Sequence, residues 1–314
     1  MQGPTPVSSL LHAASMVTVG VFLILRLSFL FENLPDVLMV IAFLGSLTAF
    51  FAATTGAVQN DIKATIAYST ASQLGYMVAS CGLSNYNVAL FHLITHGFFK
   101  ALLFLSAGAI IHGLADEQDI RKMGSLAQVL PVSYACILIG SLSLMGFPFL
   151  SGFFSKDAIL EIAAASYKIE GTFAYVLLLL AALFTAFYSF RLIFFVFLSE
   201  ANGLRPVYKQ AHEANVVMIV PITVLAFGAI FLGYMFKDLM IGAGSSFLTI
   251  SLGSTFAHHN LIDSEFLPTS IKLVPLVLSL SGAALALVLY RQEPALAVNL
   301  KTGFSRIFAF LTHS

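Results

Sequence analysis

The 314-residue chain is 59% hydrophobic and only 10% charged, and its 15 basic and 15 acidic side chains leave a formal charge of zero. A soluble domain carries about 25% charged residues, whereas the apolar residues here fall in runs of roughly 20 or more, the span of a bilayer. That excludes a large soluble core, gives no reason to expect a nucleic-acid partner and, without the period-two alternation of a barrel, predicts an all-α polytopic transmembrane helix bundle.

In chain order about eight spans are expected in one membrane domain, over residues 7–31, 36–58, 62–81, 86–113, 130–150, 173–199, 215–236 and 271–290. The first holds His12 among small residues, in SSLLHAASMVT, a composition that permits close helix packing. Pro35 and Pro131 suit first helical turns, and Asp61 offers a capping carboxylate before the third span. That span carries Ser69, Thr70, Ser72 and Gln73, a polar face for interhelical hydrogen bonds or waters. Asp61 and Lys63 read as boundary charges. After the fifth span, Pro148 and Gly152 predict a break. A short piece over 155–166 follows, with Ser155 as its cap. Pro221 is expected to kink the seventh span. Residues 237–270 read as a long surface loop with His258 and His259 solvated, and 301–313 as a short amphipathic surface helix.

Cys81 and Cys136 fit neither a redox pair nor a metal site and are expected as small buried hydrophobes. Met1-Gln-Gly-Pro-Thr-Pro lacks the basic start of a signal or transit peptide. The absence of Trp beside 30 Phe suggests a biased codon pool, as in some organellar genomes.

The fourth span, NVALFHLITHGFFKALLFLSAGAIIHG, places His92, His96 and Lys100 at i, i+4 and i+8. They share one helix face over about 12 Å at 1.5 Å per residue. An ionisable group in hydrocarbon costs at least about 2.5–3.5 kcal/mol, so each asks for a reason. Imidazole titrates near neutrality, and the row suits proton carriage through waters. Structural histidines that satisfy a core hydrogen bond are the plainer alternative. Metal binding by His92 and His96 is a further one, though no Glu follows His92 and Lys100 adds positive charge. Lys156 and Asp157 sit at the predicted break, where membrane transporters place ion sites. The plainer reading there is a snorkelling lysine beside a carboxylate at a helix start. No nucleotide loop or nucleophile constellation is present, so no redox cofactor and no metal are expected on this chain.

The segments GPTPVSSLLHAASMVTVGVFLILR, DIKATIAYSTASQLGYM, HLITHGFFKALLFLSAGAIIH, DEQDIRKMGSL and GFFSKDAILE, in this order and spacing, resemble the subunit 5 family of proton-pumping NADH:ubiquinone oxidoreductase, respiratory complex I. The first and third are shared with related subunits and Mrp-type cation/proton antiporters. DEQDIRKMGSL, and Lys156 where subunit 4 has Glu, favour subunit 5. The resemblance implies an antiporter-like bundle with broken helices near the membrane midplane. It also implies a proton path through His12, His92, His96 and Lys100 to Lys156, with Asp157 beside it. NADH, FMN, iron–sulfur clusters and ubiquinone would belong to partner subunits. The implied setting is the mitochondrial inner membrane, or alternatively a bacterial plasma membrane, with lipids and a subunit 4 neighbour around the chain.

Counting Lys and Arg places Lys63, Arg121, Lys122, Arg205, Lys209, Arg291, Lys301 and Arg306 on one side, the matrix or cytoplasm, with both termini. The family's Glu on its fifth helix and Lys on its seventh would precede Gly3, and its lateral helix and last span would follow Ser314. The expectation is a C-terminal portion of a split subunit, whose first seven helices belong to a companion chain, or else a truncated one. An Mrp-type antiporter subunit and a degenerate structural subunit are the competing functions.

Overall fold

The computed structural model describes residues 3–242 and 258–313. The regular structure is all helical, and among the described residues no strand forms. In order the helices are α1 (Thr5–Ser8), a π-helical turn (Ser9–Ala14), α2 (Thr18–Arg26), α3 (Ser28–Phe31), α4 (Pro35–Val58), α5 (Ile62–Gly82) and α6 (Tyr86–Gly113). There follow α7 (Pro131–Met145), α8 (Ser151–Ala165), α9 (Ile169–Ile193), α10 (Arg205–Gln210) and α11 (Val216–Ile241). The described chain resumes with α12 (His258–Glu265), α13 (Thr269–Leu287), α14 (Pro294–Gly303) and α15 (Ser305–His313).

Five helices are long and apolar enough to cross a membrane: Pro35–Val58, Tyr86–Gly113, Ile169–Leu198, Val216–Ile241 and Thr269–Gln292. The bundle is apolar outside as well as inside. Val217, Val224, Phe227 and Tyr234 of α11 and Phe22 and Phe29 of the first segment are all exposed. Such a belt is a liability in water and a suitable contact for acyl chains. Helices α4 and α5 pack through small residues, with no room for a Cβ on Gly45 against Ala79 or on Gly75 against Ala49. Ser72 Oγ then donates to Ala49 O at 2.9 Å.

Local chemistry sets most helix starts. Pro35 and Pro131 occupy first turns. Asp61 caps α5 by accepting from the Lys63 amide at 2.8 Å. Three expectations are corrected. The single helix over 7–31 is interrupted at residues 15–17, because Ser15 and Met16 bond five residues back, to Leu10 O and Leu11 O. Ser15 Oγ also donates to Leu10 O and Thr18 Oγ1 to Ser15 O, so local hydroxyls satisfy the freed backbone. Ser155 does not cap α8, which begins four residues earlier at Ser151. The supposed 237–270 loop contains the end of α11 and all of α12, and Pro221 lies inside α11. The side chains of His258 and His259 lie outside the described residues. Residues 294–313 form two helices, and α15 rests on α4 through the Phe51–Phe310 ring contact, centroids 6.3 Å apart.

The aqueous corner between α4 and α5 is pinned to the α6–α7 loop. The Ile62 amide donates to Gln118 O at 3.1 Å and the Ile120 amide to Asn60 O at 2.9 Å. On this loop Lys122 donates to Glu117 and Arg121 to Asp119, and these bonds hold both carboxyls below their ordinary range. Arg191, on the last turn of α9, is buried and joins the same corner. Its guanidinium donates to Gln59 O and to Asn60 Oδ1 and lies 5.7 Å from the ring centres of Phe195 and Tyr290. Lysine cannot reproduce that planar fork. Arg191→Lys is expected to destabilise the corner by about 1–3 kcal/mol, seen as faster hydrogen–deuterium exchange at residues 59–62. Arg121→Lys, on the exposed loop, is expected to leave that exchange unchanged.

Candidate functional site

The polar face expected on the third span, now α5, meets the buried ionisable groups. Ser69, Gln73 and Tyr76 stand at i, i+4 and i+7, on one face of the helix, and each meets a different group. Lys100 Nζ donates to Ser69 Oγ. His92 Nε2 lies 3.1 Å from Gln73 Oε1. The Lys156 ammonium sits 5.4 Å from the centre of the Tyr76 ring, whose hydroxyl donates to Leu178 O at 2.5 Å. Lys100 is 0% exposed and Lys156 1% exposed, so neither reaches the surface of the bundle.

The two lysines are solvated in the same way. Ser69 Oγ donates its hydrogen to Ile66 O at 2.7 Å, which leaves its lone pairs for Lys100. Thr185 Oγ1 donates to Ala182 O at 2.7 Å and accepts from Lys156 Nζ at 2.9 Å. Lys156 also donates to Met145 O at 3.4 Å, a carbonyl freed where α7 ends. That end is made by Gly146 at φ +85, a left-handed residue that closes the helix without strain. Gly152 allows α8 to begin against Ser143, with no space for a Cβ. Among the described residues no carboxylate lies within ion-pair distance of either lysine.

His92 Nδ1 lies 2.9 Å from Ser155 Oγ, which is also 2.9 Å from Thr95 Oγ1. With Gln73 presenting its oxygen, the neutral ring carries its proton on Nε2 and accepts from Ser155 at Nδ1. Ser155 thus lies inside α8, joining α6 to the helix that carries Lys156. His96 is fully buried, and among the described residues neither ring nitrogen has a hydrogen-bond partner. Its ring packs against Phe99 at 5.3 Å and His92 at 6.2 Å. Asp157, next to Lys156, borders a cavity of about 380 Å³ with Glu161, Lys237, Glu265 and Lys272. The His12 backbone belongs to the π-helical turn Ser9–Ala14, while its side chain lies outside the described residues.

The structure therefore brings Lys100, His92 and Lys156 against one face of α5, at Ser69, Gln73 and Tyr76 in turn. His96 adjoins His92 by ring contact, and Asp157 borders the cavity beside α8. Thr185 and Tyr76 carry no signal in the sequence, since a lone Thr or Tyr in an apolar helix is ordinary. Lys63, expected at the boundary, is buried and 4% exposed. No group of three or more His, Cys, Asp or Glu among the described residues can hold a metal ion, and the cysteines are free and buried.

Ser155→Ala is expected to leave the buried His92 Nδ1 without its partner and to cost about 1–3 kcal/mol. The check is a lowered thermal unfolding midpoint in detergent, against Ser281→Ala on the exposed face of α13 as an unchanged control.

Residues 1–185 match the family described as NADH:quinone oxidoreductase/Mrp antiporter, TM, and residues 188–313 match NADH dehydrogenase subunit 5 C-terminus. Curated relatives called NADH-ubiquinone oxidoreductase chain 5 are 55% identical over 301 residues in Phytophthora infestans, 53% over 313 in Marchantia polymorpha and 53% over 304 in Cryptococcus neoformans var. grubii. These alignments cover 96%, 99% and 96% of this chain and 45%, 47% and 46% of the relatives. The chain thus spans about half the length of the curated relatives it matches. Among solved structures, the Mrp complex from Dietzia sp. DQ12-45-1b shares the fold at a TM-score of 0.68 and 24% identity, covering 96% of this chain and 34% of that one.

Proposed function

The chain belongs to the NADH:quinone oxidoreductase/Mrp antiporter membrane family, and from that premise we propose that it is a proton-translocating membrane subunit of respiratory complex I, the distal half-channel of a subunit 5 module. The observation that carries this reading is a pair of buried lysines, Lys100 and Lys156, each held by a hydroxyl and joined through one polar helix face. A lysine so placed, with no carboxylate at ion-pair distance among the described residues, can respond to charge moving nearby. At an effective dielectric of about 20, a unit charge approaching from 8 to 4 Å changes a lysine's energy by about 2 kcal/mol.

In the proposed cycle, protons from the aqueous matrix side reach Lys100. They pass along the Ser69–Gln73 face, with His92 and His96 as intermediate carriers, to Lys156. Asp157 takes part where the path meets the cavity beside α8. His12, on its π-helical turn, is proposed as a further member of the path. The driving charge is proposed to move on a neighbouring carboxylate–lysine pair, in the part of the relatives' length that this chain does not match. Electron transfer from NADH to ubiquinone, with its flavin and iron–sulfur groups, is assigned to partner subunits. The proposed surroundings are other complex I membrane subunits, including a subunit 4 neighbour and lipids. The proposed location is the mitochondrial inner membrane, with one domain crossing eight times and the end of α15 on the matrix side.

Lys100→Ala and Lys156→Ala are each expected to lower proton translocation in the assembled complex about tenfold or more, a barrier rise of about 1.4 kcal/mol per decade. The readout is protons moved per NADH oxidised, alongside the oxidation rate. A parental ratio in both variants would overturn the proposal. Mass spectrometry of the native assembly separates the competing antiporter reading, which requires small antiporter subunits instead of flavin and iron–sulfur chains.

A further inference from the structure

Lys63 is a buried lysine that the proposed path leaves unused. It sits in the first turn of α5, with its amide bonded to the Asp61 cap and its Nζ donating to Gly3 O at 3.2 Å. It pairs with no carboxylate among the described residues. A cavity of about 460 Å³ opens beside it, with His112, Asp116 and Gln118 among its other polar walls. A polar cavity of this size holds water readily. His112 and Asp116 are exposed, and the same loop carries the exposed Lys122–Glu117 and Arg121–Asp119 pairs. The cavity therefore faces the aqueous side. Its wall is held in place by the backbone bonds of Ile62 to Gln118 and of Ile120 to Asn60.

From Lys63 the polar face of α5 leads inward. Thr70 lies seven residues on, two turns along the same face. Ser69, the partner of Lys100, lies six residues on, about 9 Å along the axis. Thr70 Oγ1 and Ser69 Oγ both donate to Ile66 O, so their lone pairs are available to a passing donor. We propose that Lys63 is the intake group of the buried row, taking protons from water in this cavity and delivering them along the hydroxyl face of α5 to Lys100. In the step, the Lys63 amine takes a proton from a hydrated proton in the cavity. Its ammonium form then gives that proton to waters beside Thr70 and Ser69, which return Lys100 to its ammonium form. This inference rests on the proton-path reading of Lys100.

The plainer role for Lys63 is an anchor that ties residues near Gly3 to α5, and arginine separates the two. A guanidinium keeps the charge and the donor to Gly3 O but does not release its proton. In the assembled complex, Lys63→Met and Lys63→Arg are both expected to lower the protons moved per NADH oxidised, by about the tenfold factor expected of Lys100→Ala. Parental pumping in Lys63→Arg would overturn the intake role. Parental pumping in Lys100→Ala would overturn instead the path on which it rests. Where the Lys63 variants do not assemble, Gln118→Cys serves, because native Cys81 and Cys136 are buried. A membrane-impermeant thiol reagent applied from the loop side is expected to block pumping in that variant and to spare the parent. Complete labelling with undiminished pumping would overturn the inference.

Discussion

A lysine ammonium inside an apolar bundle persists only where other groups replace its water, and the rest of this structure is arranged around that constraint. Lys100 and Lys156 each receive a hydroxyl whose own hydrogen is already committed to a carbonyl three residues back. The hydroxyl is thereby left as an acceptor toward the lysine. Both arrangements solvate the charge without neutralising it, unlike a buried ion pair, which would fix the proton in place. The fold holds strong bases in a state where a small change in field is felt.

The helix break between α7 and α8 belongs to the same economy of backbone groups. Ending α7 at Gly146 frees the Met145 carbonyl in the interior, and Lys156 satisfies it. Ser143 and Ser151 take up the other side of the break, with Ser151 Oγ donating to Ala229 O at 2.6 Å and the Gly152 amide bonding Ser143 Oγ at 3.2 Å. Irregular backbone at membrane depth is tolerated where protein or water pairs it, and here protein side chains do so. The interrupted first segment is handled likewise, by Ser15 and Thr18.

The two ends of the proposed path differ in character. At the aqueous loop, helix ends are tied together by backbone bonds and by Arg191, so the cavity beside Lys63 has fixed walls. At the other end, Asp157 and Glu161 border a cavity shared with Lys237 and Lys272 on separate helices, and charges of both signs meet across an open space. On the proposed path, a fixed vestibule at one end and a mixed-charge space at the other would give proton movement a direction, which a lone row of basic groups on α6 does not possess.

Much of this was legible in the residues alone. Hydropathy runs settle the helical membrane class, and the spacing of His92, His96 and Lys100 settles their common face, because both follow from the local geometry of one helix. Pro148 and Gly152 likewise announce the break before Lys156. Tertiary structure decided what those groups touch. Thr185 meets a lysine 29 residues away, Tyr76 bonds a carbonyl 102 residues away and Arg191 reaches Gln59 across 132 residues. It also covered Lys63 at its helix end and split the first span. Periodicity ranks the faces of a helix but carries no information on which other helix will cover them. The partner of a buried charge is therefore chosen only when the helices pack.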